Sequence, residues 1–495
     1  MTGEEKIYSM LDSRMDQNAP HPWSPGFRTL AEEHSYRIDE VEGVVPQALR
    51  GTLYRNGPGR NDLGGRWFPH WFDGDGMVSA IRFADDGIHY HNRFVATDNY
   101  RDETLRQRIV HRGFGKMRPW GPLGNALREP ANVSNTSVVM ENGRLLSLWE
   151  GGPPTALDPT TLDTRGLETY GGALKAFSAH PKRDPATGEL FNFGIDYGAK
   201  TILTPYRLER GIATRLPPVP LPYPVMNHDF VLTEHYLVFC VGPLLVKPLK
   251  FLLGLASFDG ALRWDGAKPT LILLVPRDGS GATRWPSRWI ETEPFFQFHF
   301  ANGYEEEGRL ILDLALYPDY RTIGQALRSY WRSDWPAKGM AALTRLTVDL
   351  VHGRVERRGF DAGTANEFPT INPAASGRRH RYTYIACNPA DRTIGLQQQL
   401  ARIDVTTGTV TRHDFGPHGY PGEPLFISTG PAEDDGVVVT LVFDAASGRS
   451  SVVGLDARDL AARPLFTARL RHHVPFALHG CFVPAATRPG ESAPS

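Results

Sequence analysis

The sequence predicts an all-β fold of many short strands, and a β-propeller in particular. Three observations carry this. The 495 residues include 50 glycines and 40 prolines, well above average usage and with no collagen-like period. These turn formers fall between short apolar runs of strand length, as in chains built from hairpins. A turn built on aspartate recurs along the chain, the mark of a repeated strand–turn–strand unit.

Strand-like runs lie at 145–149, 190–195, 236–241, 271–275, 310–316, 382–386 and 437–443. The turn segments 156–161, 346–355, 402–410 and 454–459 carry Asp158, Asp349, Asp404 and Asp456, and 180–191, with Asp184, is a looser relative. Aspartate accepts hydrogen bonds from its own turn, and a following glycine supplies positive φ. Irregular repeats over this length suit a propeller, with a sandwich or a pair of barrels as the rival. The repeats are too degenerate to count blades. No Pro/Gly/Ser linker divides the chain, so 1–495 reads as one domain, loose only over about 1–25 and 485–495.

Charged residues make up 22% and hydrophobic residues 41%, which indicates neither disorder nor a bundle of spanning helices. The 54 basic and 55 acidic residues leave a net charge of -1, and so no electrostatic reason to propose a nucleic acid partner. Cys240, Cys387 and Cys481 stand far apart without CxxC spacing and read as inert buried thiols of a reducing compartment. The N-terminal stretch MTGEEKIYSMLDSRMDQ has acids where a signal peptide needs bases, and no apolar core. A cytoplasmic protein is expected. Segment 242–258, GPLLVKPLKFLLGLASF, differs from its surroundings in having ten apolar side chains, two lysines and no acid. It is too short to span a bilayer. It reads either as a buried helix or loop, or as a monotopic membrane patch with Lys247 and Lys250 toward anionic headgroups.

Most of the 17 histidines sit in polar or turn-like surroundings and read as surface or structural groups, the default also for His70, His472 and His473. His180, His228, His299 and His479 instead have apolar, strand-like or Gly-rich neighbours. Singly, each is more often a satisfied core histidine than a ligand. Together they suggest inner strands of several blades pointing imidazoles at a common axis. Four neutral imidazoles suit zinc, copper, iron or nickel. Glu150, Glu367 and Glu423 are embedded in apolar or turn segments where an unpaired charge would be costly. They read either as acceptors for the second ring N–H of metal-bound histidines or as ordinary carboxylates at strand ends.

At this point the motifs resemble the carotenoid cleavage oxygenases. The matching stretches are LYRNGPG at 53–59, HWFDGDGM at 70–77, NVSNT at 132–136, LWEGG at 148–152, the four histidine segments, and those around Glu367 and Glu423. They run in family order over nearly the whole chain. The resemblance implies a seven-bladed β-propeller, with loops and short helices forming a cap over an iron centre. It implies His180, His228, His299 and His479 as ligands of one iron(II), and Glu150, Glu367 and Glu423 as partners of His228, His299 and His479 respectively. Thr136 matches the position beside the open iron site. Phe72, Phe114, Trp149, Phe296 and Phe298 are aromatics expected either to line a substrate tunnel or to pack in the core.

The implied activity is dioxygen-dependent scission of a conjugated double bond into two carbonyl products. The match looks nearest to the bacterial apocarotenoid-cleaving type, through RGFGK at 112–116, Trp149-Glu150 and the apolar 242–258 stretch. The implied partner is a lipophilic polyene, met at the inner face of a membrane. Stilbenoid cleavage and non-oxidative polyene isomerisation are the alternatives. Met226-Asn227 before His228, Ala96 and Phe300 depart from the family pattern and leave substrate length and scissile bond open.

Overall fold

The computed structural model describes residues 20–280 and 288–485. Among them, the larger sheets number seven, each antiparallel and each a blade. Blade 2 runs outward from Ser137–Glu141 through Arg144–Leu148 and Thr155–Leu157 to Thr164–Leu167. Blades 3, 4, 5 and 6 repeat this order, starting at Lys182–Arg183, Val231–Leu232, Phe296–Glu306 and Thr364–Thr370.

Both chain ends close the ring. Blade 1 takes its innermost strand, His479–Pro484, from the C-terminal end and pairs it with Gly51–Arg60. Blade 7 starts at Gly419–Pro421 and Leu425–Ser428, and its outermost strand, Glu40–Gly43, comes from the N-terminal end and pairs with Phe466–Arg469. Opening the propeller therefore means breaking two ladders far apart in sequence.

The aspartate turns form as expected. Asp158, Asp349 and Asp404 each accept backbone N–H groups from the residues two and three ahead, at 2.9 to 3.1 Å. Asp456 accepts from Arg458 at 2.9 Å. All four turns join the third to the fourth strand of a blade, in blades 2, 5, 6 and 7. The looser Asp184 turn joins the first strand to the second, and so is a different corner.

The anticipated loose ends at 1–19 and 486–495 lie outside the described residues. Residues 20–25, grouped with the loose start, are instead packed: Trp23 is 3% exposed and stacks on His21, and a short 3-10 turn at Ser24–Phe27 follows. Phe27 packs edge-on against Trp71, Tyr330 and Phe476, so this segment roofs the aromatic core above the propeller axis. Short helices at Asp98–Arg106, Gly121–Asn125, Pro248–Leu252 and Arg321–Arg328 complete the cap.

Candidate metal centre and cavity

Each blade brings one chemically distinctive residue to the axis from its innermost strand or the turn beside it. In ring order these are His479, Thr136, His180, His228, His299, Glu367 and Glu423. Local irregularity aims them. The strand carrying His299 shifts register between Gln297 and Phe300 and again before Asn302, and the strand carrying Glu367 shifts on both sides of that residue. A bulge turns a side chain away from the pleat and toward a chosen target. Ala365 and Phe368, which flank Glu367, have positive φ values of 50° and 56°, and Ser134, ahead of Thr136, has 42°. Non-glycine residues hold such angles where the surroundings over-determine them.

The four histidines are buried, and one nitrogen from each lies within 4.8 Å of the others. His180 Nε2 and His228 Nε2 stand 2.8 Å apart. His299 Nε2 is buried without a hydrogen-bond partner. A shared cation is what such a set of converging lone pairs suits, since neutral imidazole is the ligand form. Burial, and after it the neighbouring imidazoles, keep the His180 pKa well below the ordinary value.

Three carboxylates fix the outer ring nitrogens. Glu150 pairs with His228 Nδ1. Glu367 accepts from His299 Nδ1 at 2.5 Å, and Glu423 accepts from His479 Nδ1 at 2.8 Å. Each of the three acids thus stands against the outer ring nitrogen of a different histidine. The pairs differ in charge. Glu423 also accepts from Arg55 at 2.5 Å, a guanidinium 2% exposed. Glu367 has neutral company, the Tyr317 hydroxyl at 2.6 Å and the Phe368 N–H at 2.8 Å. Burial lowers His479 to about 4, the charge of Glu423 only partly opposing it. Burial also acts on His299, but there the charge and hydrogen bond of Glu367 outweigh it and the pKa rises.

The backbone holds this array at several points. Ser178 Oγ accepts the His180 N–H and donates to the His228 carbonyl. Asp229 is 1% exposed, pairs with Lys182 at 2.8 Å and accepts the Phe300 N–H at 3.0 Å, so it ties blades 3, 4 and 5 beside two of the histidines. Asn56, opposite His479 in the ladder, donates to the Ser134 and Ser137 carbonyls at 3.0 Å and so pins the Thr136 loop. Thr136 itself accepts the His479 N–H on its carbonyl, and its hydroxyl donates to Asn135. Gly76 of the HWFDGDGM motif is required by contact: a Cβ there would stand 2.0 Å from the Ser134 carbonyl oxygen.

A cavity of about 330 Å³ opens on His228, His299 and His479. Thr136 and Glu150 are in its wall, as are Phe72, Phe114, Trp149 and Phe298 of the expected aromatics. Phe296 is not. It lies behind Phe298, packed edge-on against that ring and against Tyr320, because two residues along a strand return to the same face at different depths. Tyr317 also lines the cavity, and its role was not legible beforehand; it ends the strand after the 310–316 run. Arg55 lay within a recognised motif without an assigned role.

The 242–258 segment forms a strand, Leu244–Val246, and a short helix, Pro248–Leu252, rather than one buried helix. Leu249, Leu252, Leu253 and Leu255 are exposed, Leu249 at 71%. A second limb, not anticipated, adds Trp120, Leu123 and Leu127, the two leucines 94% and 80% exposed. The limbs are locked together. Leu127 N–H donates to the Leu252 carbonyl at 2.8 Å, and buried Arg112 donates to the carbonyls of Asn125, Phe251 and Ala256. Gly254, at φ 68°, fits where any Cβ would meet the Pro122 carbonyl at 2.3 Å. Phe251 and Phe258 turn inward and line the cavity. Among the described residues, no helix is long and apolar enough to cross a membrane.

Comparison with known proteins agrees with this architecture. The family model described as retinal pigment epithelial membrane protein matches residues 27–484. The chain is 35% identical over 480 residues to apocarotenoid-15,15'-oxygenase of Synechocystis, covering 93% of this chain and 96% of that protein. It is 29% identical over 487 residues to isoeugenol monooxygenase of Pseudomonas putida, covering 94% and 98%. The solved structure of cobalt-substituted Synechocystis apocarotenoid oxygenase superposes with a TM-score of 0.86 at 34% identity, covering 94% of this chain and 99% of that one.

Proposed function

The chain belongs to the retinal pigment epithelial membrane protein family, that of the carotenoid cleavage oxygenases, and from that premise we propose that it is an iron(II) dioxygenase cleaving a conjugated double bond of an apocarotenoid. One observation carries the reading: four buried imidazoles, one with an unpartnered Nε2, converge at the wall of an apolar cavity. His180, His228, His299 and His479 would hold the iron, which supplies the oxygen-activating chemistry with dioxygen as co-substrate.

The protein's own part is positioning. Glu150, Glu367 and Glu423 accept hydrogen bonds from the Nδ1–H of their imidazoles, which leaves the Nε2 lone pairs for the metal. Phe72, Phe114, Trp149 and Phe298 give the cavity flat apolar walls that exclude water and align a polyene. Thr136 stands beside His479 and limits what approaches the centre from blade 2.

The wall also bears on the substrate. A tyrosine and a lysine free to bind a phenolic hydroxyl would favour a phenolic substrate. Among the described residues no lysine lines the cavity, and the hydroxyls of Tyr197 and Tyr317 already donate to the Val225 carbonyl and to Glu367. This favours a polyene over the phenolic type of substrate named for the isoeugenol relative. A lipid-dissolved substrate also gives the leucine patch a purpose: it borders the cavity through Phe251 and Phe258 and carries Lys247 and Lys250. The reading places the enzyme in the cytoplasm, peripheral at the inner face of a membrane, with the patch in the lipid interface.

The test is iron-loaded protein in detergent micelles, given a β-apocarotenal under isotopically labelled dioxygen. Two shorter carbonyl fragments, both labelled, support the reading and locate the bond. Unchanged substrate mass with altered retention replaces it by isomerisation. No reaction, with iron confirmed bound and a stilbenoid or phenylpropenoid turned over instead, replaces it by phenolic cleavage.

A further inference from the structure

Three carboxylates orient three imidazoles, but they are not held alike. Glu150 is partly exposed in the cavity wall and pairs with His228. Glu423 is fixed by the Arg55 guanidinium and the Gly480 N–H. Glu367 is fixed without any cation. Its Oε1 accepts the Tyr317 O–H at 2.6 Å; its Oε2 accepts the Phe368 N–H at 2.8 Å and faces His299 Nδ1 at 2.5 Å.

Tyr317 and His299 lie on neighbouring strands of blade 5, Arg309–Tyr317 and Phe296–Glu306, while Glu367 comes from blade 6. Two groups from one blade therefore reach the same carboxylate of the next blade from two sides. Tyr317 is fully buried, and edge-on contacts with Phe296 and Phe298 hold its ring. With three donors converging on its two oxygens, Glu367 is an acceptor toward His299. The ring proton of His299 is thereby kept on Nδ1, and Nε2, buried and unpartnered, keeps its lone pair toward the other histidines.

We propose that Tyr317 is a positioning residue for metal binding: its hydroxyl locks Glu367 in place, and Glu367 in turn sets the tautomer and direction of His299. The inference rests on the four histidines being the metal site. It also separates two uses of a tyrosine in a cavity wall. A tyrosine that only contacts substrate affects KM and leaves metal affinity alone; one that acts through Glu367 changes metal affinity with no substrate present.

The experiment uses the full chain and cobalt(II) alone, with affinity read by chelator competition and the site read by the ligand-field absorption of the cobalt protein. Tyr317→Phe removes one oxygen and keeps the ring. Its cobalt affinity is expected to fall by up to about tenfold, the lower end of the cost of losing a histidine's own outer partner because the hydroxyl stands one link further out, and its absorption bands to shift. Glu367→Gln is expected to weaken binding as well, and adding Tyr317→Phe to it to cost little more, because both act on one link. Cobalt affinity and spectrum of Tyr317→Phe equal to wild type, with any change confined to KM, overturn the proposal. Fully additive losses in the double variant overturn it too. Wild-type protein that takes up no cobalt overturns the metal reading itself, an outcome distinct from the other two.

Discussion

Arg55 offers a sharp test of how the buried charges near the axis are balanced. Replacing it by methionine keeps most of the volume and removes the cation. Glu423 then retains the His479 Nδ1–H and the Gly480 N–H but faces burial without a counter-charge. Breaking a buried ion pair by deleting one partner costs about 3–5 kcal/mol. Unfolding entropy of about 2.1 cal/mol/K per residue makes about 1 kcal/mol/K for a chain of 495 residues, so the expected loss at neutral pH is about 3–5 °C in Tm.

The pH dependence gives the prediction its edge. In the wild type, burial pushes the Glu423 pKa up, and Arg55 followed by His479 more than reverses this, so the folded value lies below the ordinary 4.5. Such a group contributes stability that is complete above its unfolded pKa and is lost as pH falls through the folded value. Without Arg55 the largest influence holding it down is lost, and the folded value rises. The variant is then penalised at high pH and relieved as Glu423 takes up a proton. The Tm gap between the two proteins is therefore widest at neutral pH and narrows on acidification. Differential scanning of metal-free protein from about pH 8 down to about pH 5 measures it. A gap independent of pH would show that Arg55 acts by packing alone, and a loss below 1 °C would refute the charge argument altogether.

His299→Ala removes one of the four converging imidazoles and leaves Glu367 without its partner; iron content after dialysis and turnover are both expected to fall to background, and an active variant would falsify the ligand assignment. Gly76→Ala drives a Cβ to within 2.0 Å of the Ser134 carbonyl, on a loop already at positive φ, and a loss of about 1–3 kcal/mol or more is expected in denaturant melts. The double variant Leu123→Glu/Leu127→Glu is expected to lose binding to anionic lipid vesicles in flotation, since each buried leucine contributes about 1.5–3 kcal/mol. Its activity in detergent should persist, and vesicle binding equal to wild type would remove the membrane reading.

What the sequence made legible follows from where in a blade each strand lies. Six of the seven runs marked as strands, 145–149, 190–195, 236–241, 310–316, 382–386 and 437–443, are second strands, and 271–275 is a third. Such strands are covered on both faces and are mostly apolar, Tyr236–Val241 wholly so. The innermost strands gave no such signal. Lys182–Arg183 and Val231–Leu232 are two residues long, and the strand Thr364–Thr370 reads TANEFPT. Their job is to present side chains to the axis, so polar groups, bulges and positive φ replace the apolar pattern. His180 and His228 lie just before such short strands, and His299 and His479 within longer ones, so spacing alone left all four ambiguous and motif resemblance was needed. The second limb of the leucine patch escaped for a related reason. Residues 118–128 are broken by Pro119, Gly121, Pro122 and Gly124 and show no apolar pattern, and tertiary contacts through Arg112, Gly254 and the Leu127–Leu252 hydrogen bond join them to the first limb.

The ring arrangement also accounts for the division of labour among the seven axial positions. Adjacent innermost strands place their residues next to one another, so a histidine and the acid that orients it can come from neighbouring blades. His299 of blade 5 meets Glu367 of blade 6, and Glu423 of blade 7 meets His479 of blade 1. His228 of blade 4 has His180 and His299 as its ring neighbours, both taken up by the cluster, and its acid comes instead from the end of the second strand of blade 2. Glu150 must reach across blade 3 to do this, along the wall of the cavity, and so it is the most exposed of the three acids. The acid that spans a blade is thus the least covered of the three, while the two acids from adjacent blades are held closer in.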